Sequence, residues 1–506
     1  MLRSFKATKF LVLVLLVSCL GCSRKGSNSA GKKKSVPPAS HTEVVRFCAD
    51  CHAFPHPDTF PVSMWRAEVE QGYQFYEKSG RTDLVPPDLE AVVSYYENLS
   101  SEDFPIPLAQ KVVPSGPIVF VEASFDRIDA PLPGISHMYA DYGTDKASEK
   151  LMVTDMLQGH ISQFYLHNGK PKVETVGGLS NPAHAHPGDL DGNGVRDWII
   201  SDLGSSDASD HSNGLLGWME IPLDGGEIKS TVIYDGVGRV SDARSADFDG
   251  DGDLDIAVAV FGWRETGKLV WLEQLPPKDG ELQFKEHVLS DRHGASHVPI
   301  IDIDDDGDLD IVVLFSQAYE SVEVYLNDGS GNFENKVLFT ADDPSYGSSS
   351  IDVVDLDNDD DWDIIYTNGD SLDSSLLKPY HSVQWLEQTD DLKFVHHEVT
   401  RMPGAYCVKA GDLDGDGDID LVASSMALSF EHPFYSLIWL EQVEGKQFVR
   451  HNLESGVAQH ACLELGDFDG DNDLDIAVGH FEPRDIDFSP WISIWWNEGK
   501  REEKSP

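Results

Sequence analysis

Positive charge is what this chain of 506 residues has least of: 38 lysines and arginines face 88 aspartates and glutamates, for a formal charge of -50 at pH 7. Phosphate binding needs a basic surface, so this balance excludes nucleic acid as a partner. Long apolar runs are also missing. Beyond the N-terminal segment, no stretch reaches the roughly 18 consecutive apolar residues of a membrane-spanning helix. Past residue 41 there are four cysteines, and a single pair stands three apart, which leaves a zinc ribbon without its second pair. No nucleophile–base pair and no phosphate loop stands out. Aromatic residues, by contrast, are plentiful. With 11 Trp, 15 Tyr, 23 Phe and 40% apolar residues, the chain can build a large core and is not a disordered acidic protein.

What the chain does have is a repeat. Asp247-Phe248-Asp249-Gly250-Asp251-Gly252-Asp253-Leu254-Asp255 has close copies starting at Asp189, Asp302, Asp355, Asp412 and Asp467, with successive starts 58, 55, 53, 57 and 55 residues apart. That period suits one propeller blade or solenoid unit. Oxygen-bearing side chains recur at positions 1, 3, 5 and 9: Asp189, Asp191, Asn193 and Asp197; Asp247, Asp249, Asp251 and Asp255; Asp302, Asp304, Asp306 and Asp310; Asp355, Asp357, Asp359 and Asp363; Asp412, Asp414, Asp416 and Asp420; Asp467, Asp469, Asp471 and Asp475. Hard oxygen ligands at this density suit calcium. The windows hold 30 acidic residues, and two carboxylates about 5 Å apart repel by roughly 3 kcal/mol at an effective dielectric of 20. About six Ca2+ ions would bring the formal charge to about -38. The bland alternative is a run of solvated acidic turns. An EF-hand needs a glutamate at position 12 and a helix beyond, whereas position 12 of the loop from Asp247 is Val258, inside a strand-like run. The loops resemble the FG-GAP or VCBS calcium repeats of integrin-type β-propellers, over roughly residues 116–500.

The first residues carry Arg3, Lys6 and Lys9, then an apolar run from Phe10 to Val17. This reads as an export signal over residues 1–18. Leu16-Val17-Ser18-Cys19 resembles a bacterial lipobox, and the resemblance implies a lipidated Cys19 and membrane attachment through the lipid alone. Residues 19–41, with Lys32-Lys33-Lys34, form a flexible basic linker suited to an anionic lipid surface. Leu20 is not the aspartate common in inner-membrane lipoproteins, which favours the outer membrane over other periplasmic or cell-surface locations. An uncleaved anchor is the competing reading, although the run is short for one.

Cys48-Ala49-Asp50-Cys51-His52 is the second motif. Two thiols three apart can add to haem vinyl groups while the next histidine ligates iron. The segment 42–108 resembles a small c-type cytochrome, which implies one covalent haem c held by Cys48, Cys51 and His52. Thr42 is expected to cap a first helix, with further helices over about 63–79 and 88–99. The family usually supplies a distal methionine well downstream, yet here Met64 is the first choice and His56 the second. Five-coordinate iron, or a ligand from the propeller, stays open, and Met64 could equally be core.

An independent repeat counts the blades. Tyr165, Trp218, Trp271, Tyr325, Trp385, Trp439 and Trp495 occupy equivalent alternating strands, giving seven blades rather than six. The first blade's acidic loop is degenerate, starting at Asp141 with Asp145 and Glu149 at positions 5 and 9. Too little chain follows Trp496 for a fourth strand, so the run Ile118–Ala123 is expected to close the last blade. The fold class is mainly β: a seven-bladed propeller over 116–500 behind a small all-α segment, expected to be monomeric.

The innermost strand of each blade precedes its acidic loop. Five residues before the loops stand His184, Asp242, His297, Ser350, Cys407 and Cys462; three before them stand His186, Arg244, Pro299, Asp352, Lys409 and Glu464. With His460, they nominate a channel site of metal-binding or polar-ligand character, against the alternative of a self-paired, solvated channel wall. Cys407 and Cys462 hold matching places in neighbouring blades, so an oxidised pair is conceivable if the inner strands come close enough for disulfide geometry. Three functions are compatible: lipid-anchored electron transfer with the propeller binding a redox partner or extracellular ligand; a haem-coupled periplasmic dehydrogenase or polysaccharide lyase; or adhesion. The haem motif favours the first, and fold alone does not choose.

Overall fold

The computed structural model describes the chain except at residues 1–35, 106–115, 128–131, 142–149, 168–169, 223–225, 373, 391, 428–433, 444–445, 457–458, 483–489 and 501–506. The export signal, Cys19, most of the linker and the body of the degenerate loop (Asp145, Glu149) lie outside the described residues. Among the described residues, no helix is long and apolar enough to cross a membrane.

Three helices come first: α1 (His41–Cys48), α2 (Val62–Lys78) and α3 (Leu89–Leu99). The cap of α1 is Ser40, not Thr42. Its Oγ accepts the Glu43 N–H at 3.3 Å while the Glu43 carboxylate accepts the Ser40 N–H at 2.9 Å, a reciprocal capping box. Asp88 caps α3 by accepting the Ala91 N–H at 3.0 Å. The helices bury Val44, Trp65, Val69, Val92, Val93 and Tyr96 between them. At the centre, the Trp65 and Tyr96 rings stack 3.9 Å apart, and Trp65 Nε1 donates to the Pro57 and Phe60 carbonyls at 3.0 Å. That indole can therefore be buried without leaving its polar end unsatisfied.

The rest is a seven-bladed β-propeller. Each of blades 1–6 is a consecutive antiparallel meander, with inner strands at Ile135–Asp141, Pro182–Gly188, Val240–Ala246, Ala295–His297 with Ile300–Ile301, Ile351–Val354 and Ala405–Gly411. The fourth inner strand is interrupted at Pro299, which has no N–H to give the ladder. All seven predicted aromatic positions lie on third strands, from Tyr165 in His160–His167 to Trp495 in Ile492–Lys500.

Closure follows the expected route. The seventh blade takes His460–Gly466, Asp475–His480 and Ile492–Lys500 from the C-terminal part of the chain, and Ile118–Phe125 as its outer strand. Ile118–Phe125 runs antiparallel to Ile492–Lys500, pairing Val121 with Trp496 and Ala123 with Ile494. Each junction between neighbouring blades has its own buried cluster, including the junction of blades 7 and 1, where Ile135, Met138 and Phe164 meet Ala477, Trp491 and Ile494. The ring is thus sealed by packing as well as by strand pairing.

Strand direction divides the two rims. Every acidic loop joins a first strand to a second, so all of them emerge on one rim. The helices pack on the other, against loops joining second to third strands or one blade to the next. There Thr59 Oγ1 donates to Asp343 at 2.9 Å, the Arg264 guanidinium lies 3.8 Å from the Phe75 ring, and Leu376 joins the helical core.

Candidate functional site

Within the acidic loops, alternation and turn chemistry bring the carboxylates together. Oxygens of Asp247, Asp249 and Asp251 lie within 4.8 Å of one another, as do those of Asp302, Asp304 and Asp306, of Asp355, Asp357 and Asp359, and of Asp189, Asp191 and Asp197. The first aspartate also folds the turn: Asp247 accepts the N–H groups of Gly250 at 2.8 Å and Gly252 at 3.1 Å, where both glycines have positive φ. Two position-3 oxygens, Asp304 Oδ1 and Asp357 Oδ1, are buried with no hydrogen-bond partner. Orphaned carboxylate oxygens facing a ring of others are what an oxygen-seeking cation would satisfy. Lys446, from the neighbouring blade, reaches the other oxygen of Asp357, and Lys500 stands 3.8 Å from Asp414.

Position 9 also clamps the loop. Asp255 accepts the Phe248 N–H at 3.2 Å and the Gln274 N–H at 2.7 Å, tying the loop to the third strand. Asp310, Asp363, Asp420 and Asp475 repeat this clamp with Asn327, Gln388, Gln442 and Asn497, and Asp197 uses the Trp218 indole instead. Burial pushes these carboxyls up, Asp197, Asp255 and Asp310 to about 6 and Asp363, Asp420 and Asp475 to about 7. Alternation of acidic residues marks the loop but does not show that position 9 is tied to the third strand.

Cys48 closes α1, half-buried against the helical core, and Cys51 is exposed; both are free thiols. Burial pushes the Cys48 thiol up to about 11. Arg81 approaches Cys51 Sγ at 3.1 Å and pairs with Asp50 at 2.5 Å. His52 Nδ1 lies 2.7 Å from the Ala53 carbonyl, so it donates there and leaves Nε2 as the ring's lone-pair nitrogen. Met64 packs, partly buried, on the same core as Cys48, whereas His56 is exposed with Nδ1 2.7 Å from Asp58. His56 also lines a cavity of about 600 Å³ between the helices and the propeller, with Asp343, Tyr380 and His396.

In the channel, His184, His186, Asp242, Arg244 and His297 come together. Asp242 is fully buried. Its Oδ1 lies 3.2 Å from His184 Nδ1 and 3.0 Å from His186 Nε2, and its Oδ2 accepts from Arg244 Nε at 3.3 Å and the Val298 N–H at 3.0 Å. Burial alone would raise this carboxyl, but Arg244, His186 and His184 outweigh it and hold it well below the carboxylate range. Burial lowers His186 to about 4, with Arg244 adding to the effect, and lowers His297 to about 3.

The sequence reading missed His137. Its ring stacks on His184 with centroids 4.3 Å apart. Counting from a loop start at Asp141 passes over it, because Asp141 is still the last residue of the inner strand, paired with Lys150 as Gly188 is with Asp197. Shifting the register by one residue moves every side chain to the other face. Aligning the first blade on its strand rather than on its acidic residues would have found it.

His460 does not join this group. It is buried at the blade edge, 2.5 Å from Glu454 and stacked edge-on with His480. Cys407 and Cys462 are free and buried in separate clusters, with Lys409 and Glu464 3.7 Å apart beside them. The channel is therefore imidazole-rich where the inner strands of blades 1–4 line it, and thiol- and ion-pair-lined along blades 6 and 7.

Residues 247–313 and 302–366 match the family described as FG-GAP-like repeat. Each match runs from an acidic loop to the second strand of the next blade, so these repeats are present in blades 3–5 and carry the period seen around the ring. No curated protein matches the chain. The crystal structure of Saccharomyces cerevisiae Sqt1 is similar at 11% identity and a TM-score of 0.41, covering 77% of this chain and 100% of that one. The fold assignment stands instead on the strand pairing above.

Proposed function

We propose that this is an exported, lipid-anchored c-type haem protein that transfers electrons, with a calcium-stabilised propeller that binds a redox partner or extracellular ligand. The observation that carries it is the state of the Cys48–His52 motif: two unpaired thiols followed by a histidine whose Nδ1 is held by a backbone carbonyl. Metal-ligating histidines characteristically donate their second ring nitrogen in this way. Cys48 and Cys51 would hold haem c covalently and His52 would be its axial ligand, with Met64 beside the same core as the first distal candidate. When bound, haem supplies a one-electron iron couple. The helical core beside Cys48 would exclude water from the group, and Arg81, Asp50 and Asp83 would set the charge near it.

For calcium, the oxygen-bearing side chains at positions 1, 3, 5 and 9 would hold the ion, and the convergence of Asp189, Asp191 and Asp197 and the orphaned oxygens of Asp304 and Asp357 support this. The propeller rim opposite the helices then presents a ring of loops whose negative charge the cations reduce without cancelling it, while the rim beneath the helices adjoins the haem motif. Expression in a host competent for cytochrome c assembly tests the proposal. Mass spectrometry should find one haem adduct, lost or weakened in Cys48→Ala and Cys51→Ala. An adduct-free wild-type protein would end the electron-transfer reading and leave a calcium-dependent binding module.

A further inference from the structure

The channel cluster is separate from both the haem motif and the acidic loops, and its chemistry differs from either. We propose that His137, His184 and His186 form a binding site for one imidazole-seeking divalent cation, zinc or copper, with Asp242 as the carboxylate that orients them.

The fold places the three rings. His184 and His186 are two apart on the inner strand Pro182–Gly188, so alternation turns both toward the channel axis. His137 occupies the position equivalent to His184 on the adjacent inner strand Ile135–Asp141. One nitrogen from each ring lies within 4.8 Å of the other two. Metal–nitrogen bonds of about 2.0–2.1 Å put tetrahedral ligands about 3.4 Å apart. Closing the difference calls for the stacked His137 and His184 rings to turn about their side-chain bonds so that their lone pairs converge.

Three further observations point to a ligand. His186 is 7% exposed, and its Nε2 contacts Asp242 Oδ1 at 3.0 Å outside hydrogen-bond geometry, so it makes no hydrogen bond. A buried ring nitrogen without a hydrogen bond is a cost that a bound ligand would relieve. Asp242 is already engaged by the Ala243 and Val298 N–H groups at 2.9 and 3.0 Å, by Arg244 and by His184. It acts on the histidines as the second-tier carboxylate of histidine metal sites does, fixing which nitrogen of His184 faces the centre. Finally, the site is reachable: the His184 side chain is 15% exposed and that of Arg244 28%. Three imidazoles without a fourth protein ligand leave a coordination position for water or a small ligand. Imidazole donors select zinc, copper and nickel over the calcium that suits the loops. His297 completes the imidazole wall, its ring 5.3 Å from His184.

Calcium-saturated, haem-loaded protein dialysed against Zn2+ should take up about one equivalent beyond its calcium and iron, counted by elemental mass spectrometry. Cu2+ in place of Zn2+ should give an electron paramagnetic resonance signal with imidazole-nitrogen splitting. His137→Gln, His184→Gln and His186→Gln should each abolish both, and Asp242→Asn should weaken binding about 10- to 100-fold through positioning alone. His460→Gln should bind as wild type does. Circular dichroism and melting identify any variant that fails to fold, and the remaining variants then decide. Wild-type protein that takes up neither metal overturns the proposal, as do folded histidine variants that bind with unchanged affinity.

Discussion

Asp363 Oδ1 accepts the backbone N–H of Gln388 at 2.8 Å, across two strands of blade 5. Its other oxygen accepts the Leu356 N–H at 3.2 Å, so one side chain holds the acidic loop against the sheet. Asp363→Ala should leave two buried donors unpaired, each costing about 1–3 kcal/mol. That loss should appear in urea unfolding with or without calcium. Asp359→Asn, one of the converging trio, should instead remove only stability that calcium confers, and should be nearly silent in excess chelator. Equal effects of the two substitutions in chelator would contradict the division between clamp and ligand.

The clamp carboxyls also set a pH dependence. Burial raises them from 3.8 to about 6 or 7, so each of these carboxyls binds more protons in the folded chain than in the unfolded chain between about pH 4 and 7. In that window their contribution to the stability of the calcium-free propeller should fall as pH rises, while His186 and His297, lowered by burial, contribute in the opposite direction. Comparison with Asp363→Asn isolates the clamp: in chelator, wild type should lose stability relative to that variant between pH 5 and pH 7.5. Calcium should shrink the difference, because the cation favours the ionised loop.

Met64 and His56 make opposite predictions for the haem. Met64 shares a buried cluster with Cys48, whereas His56 is exposed and bonded to Asp58. Met64→Ala should alter the reduced absorption spectrum and lower the reduction potential, since thioether ligation raises it. His56→Ala should change neither. The reverse result would assign the distal position to His56.

Ring closure can be weakened at a single residue. Ile118 is 2% exposed within the cluster that joins blades 6 and 7. Ile118→Ala should cost about 2–4 kcal/mol, measured by chemical denaturation. An effect below 0.5 kcal/mol, by the same scale, would show that the outer strand contributes little to closure.

Blade number, strand order and the closing strand were legible because each depends on local pattern: Trp271 and its counterparts mark third strands, and alternation in Ile118–Ala123 marks a strand in need of a partner. The helices were legible for the same reason, to within a residue or two. Less visible was anything decided by contact between segments. Ser40 and Thr42 are both acceptable caps by type, and the choice fell to the residue with glutamate three positions on. Asp363 and Asp359 look alike in the sequence and differ only in what N–H groups the fold aims at them. His137 needed the strand register, and His460 needed its neighbour Glu454, to show which side of the inner strand each would take.

The pairing of Ser124 with Ser493 joins positions 369 residues apart. At synthesis rates of about 5–20 residues per second, the first of these strands waits roughly 20–70 s for the second to be made. During that interval it is an unpaired edge with Ile118 and Val121 uncovered, able to pair with other chains. The same architecture that leaves the finished ring without a loose end makes its last stitch the slowest to arrive. A ribosome that stops before Ile492 would release six complete blades, an unfinished seventh and no closed molecule.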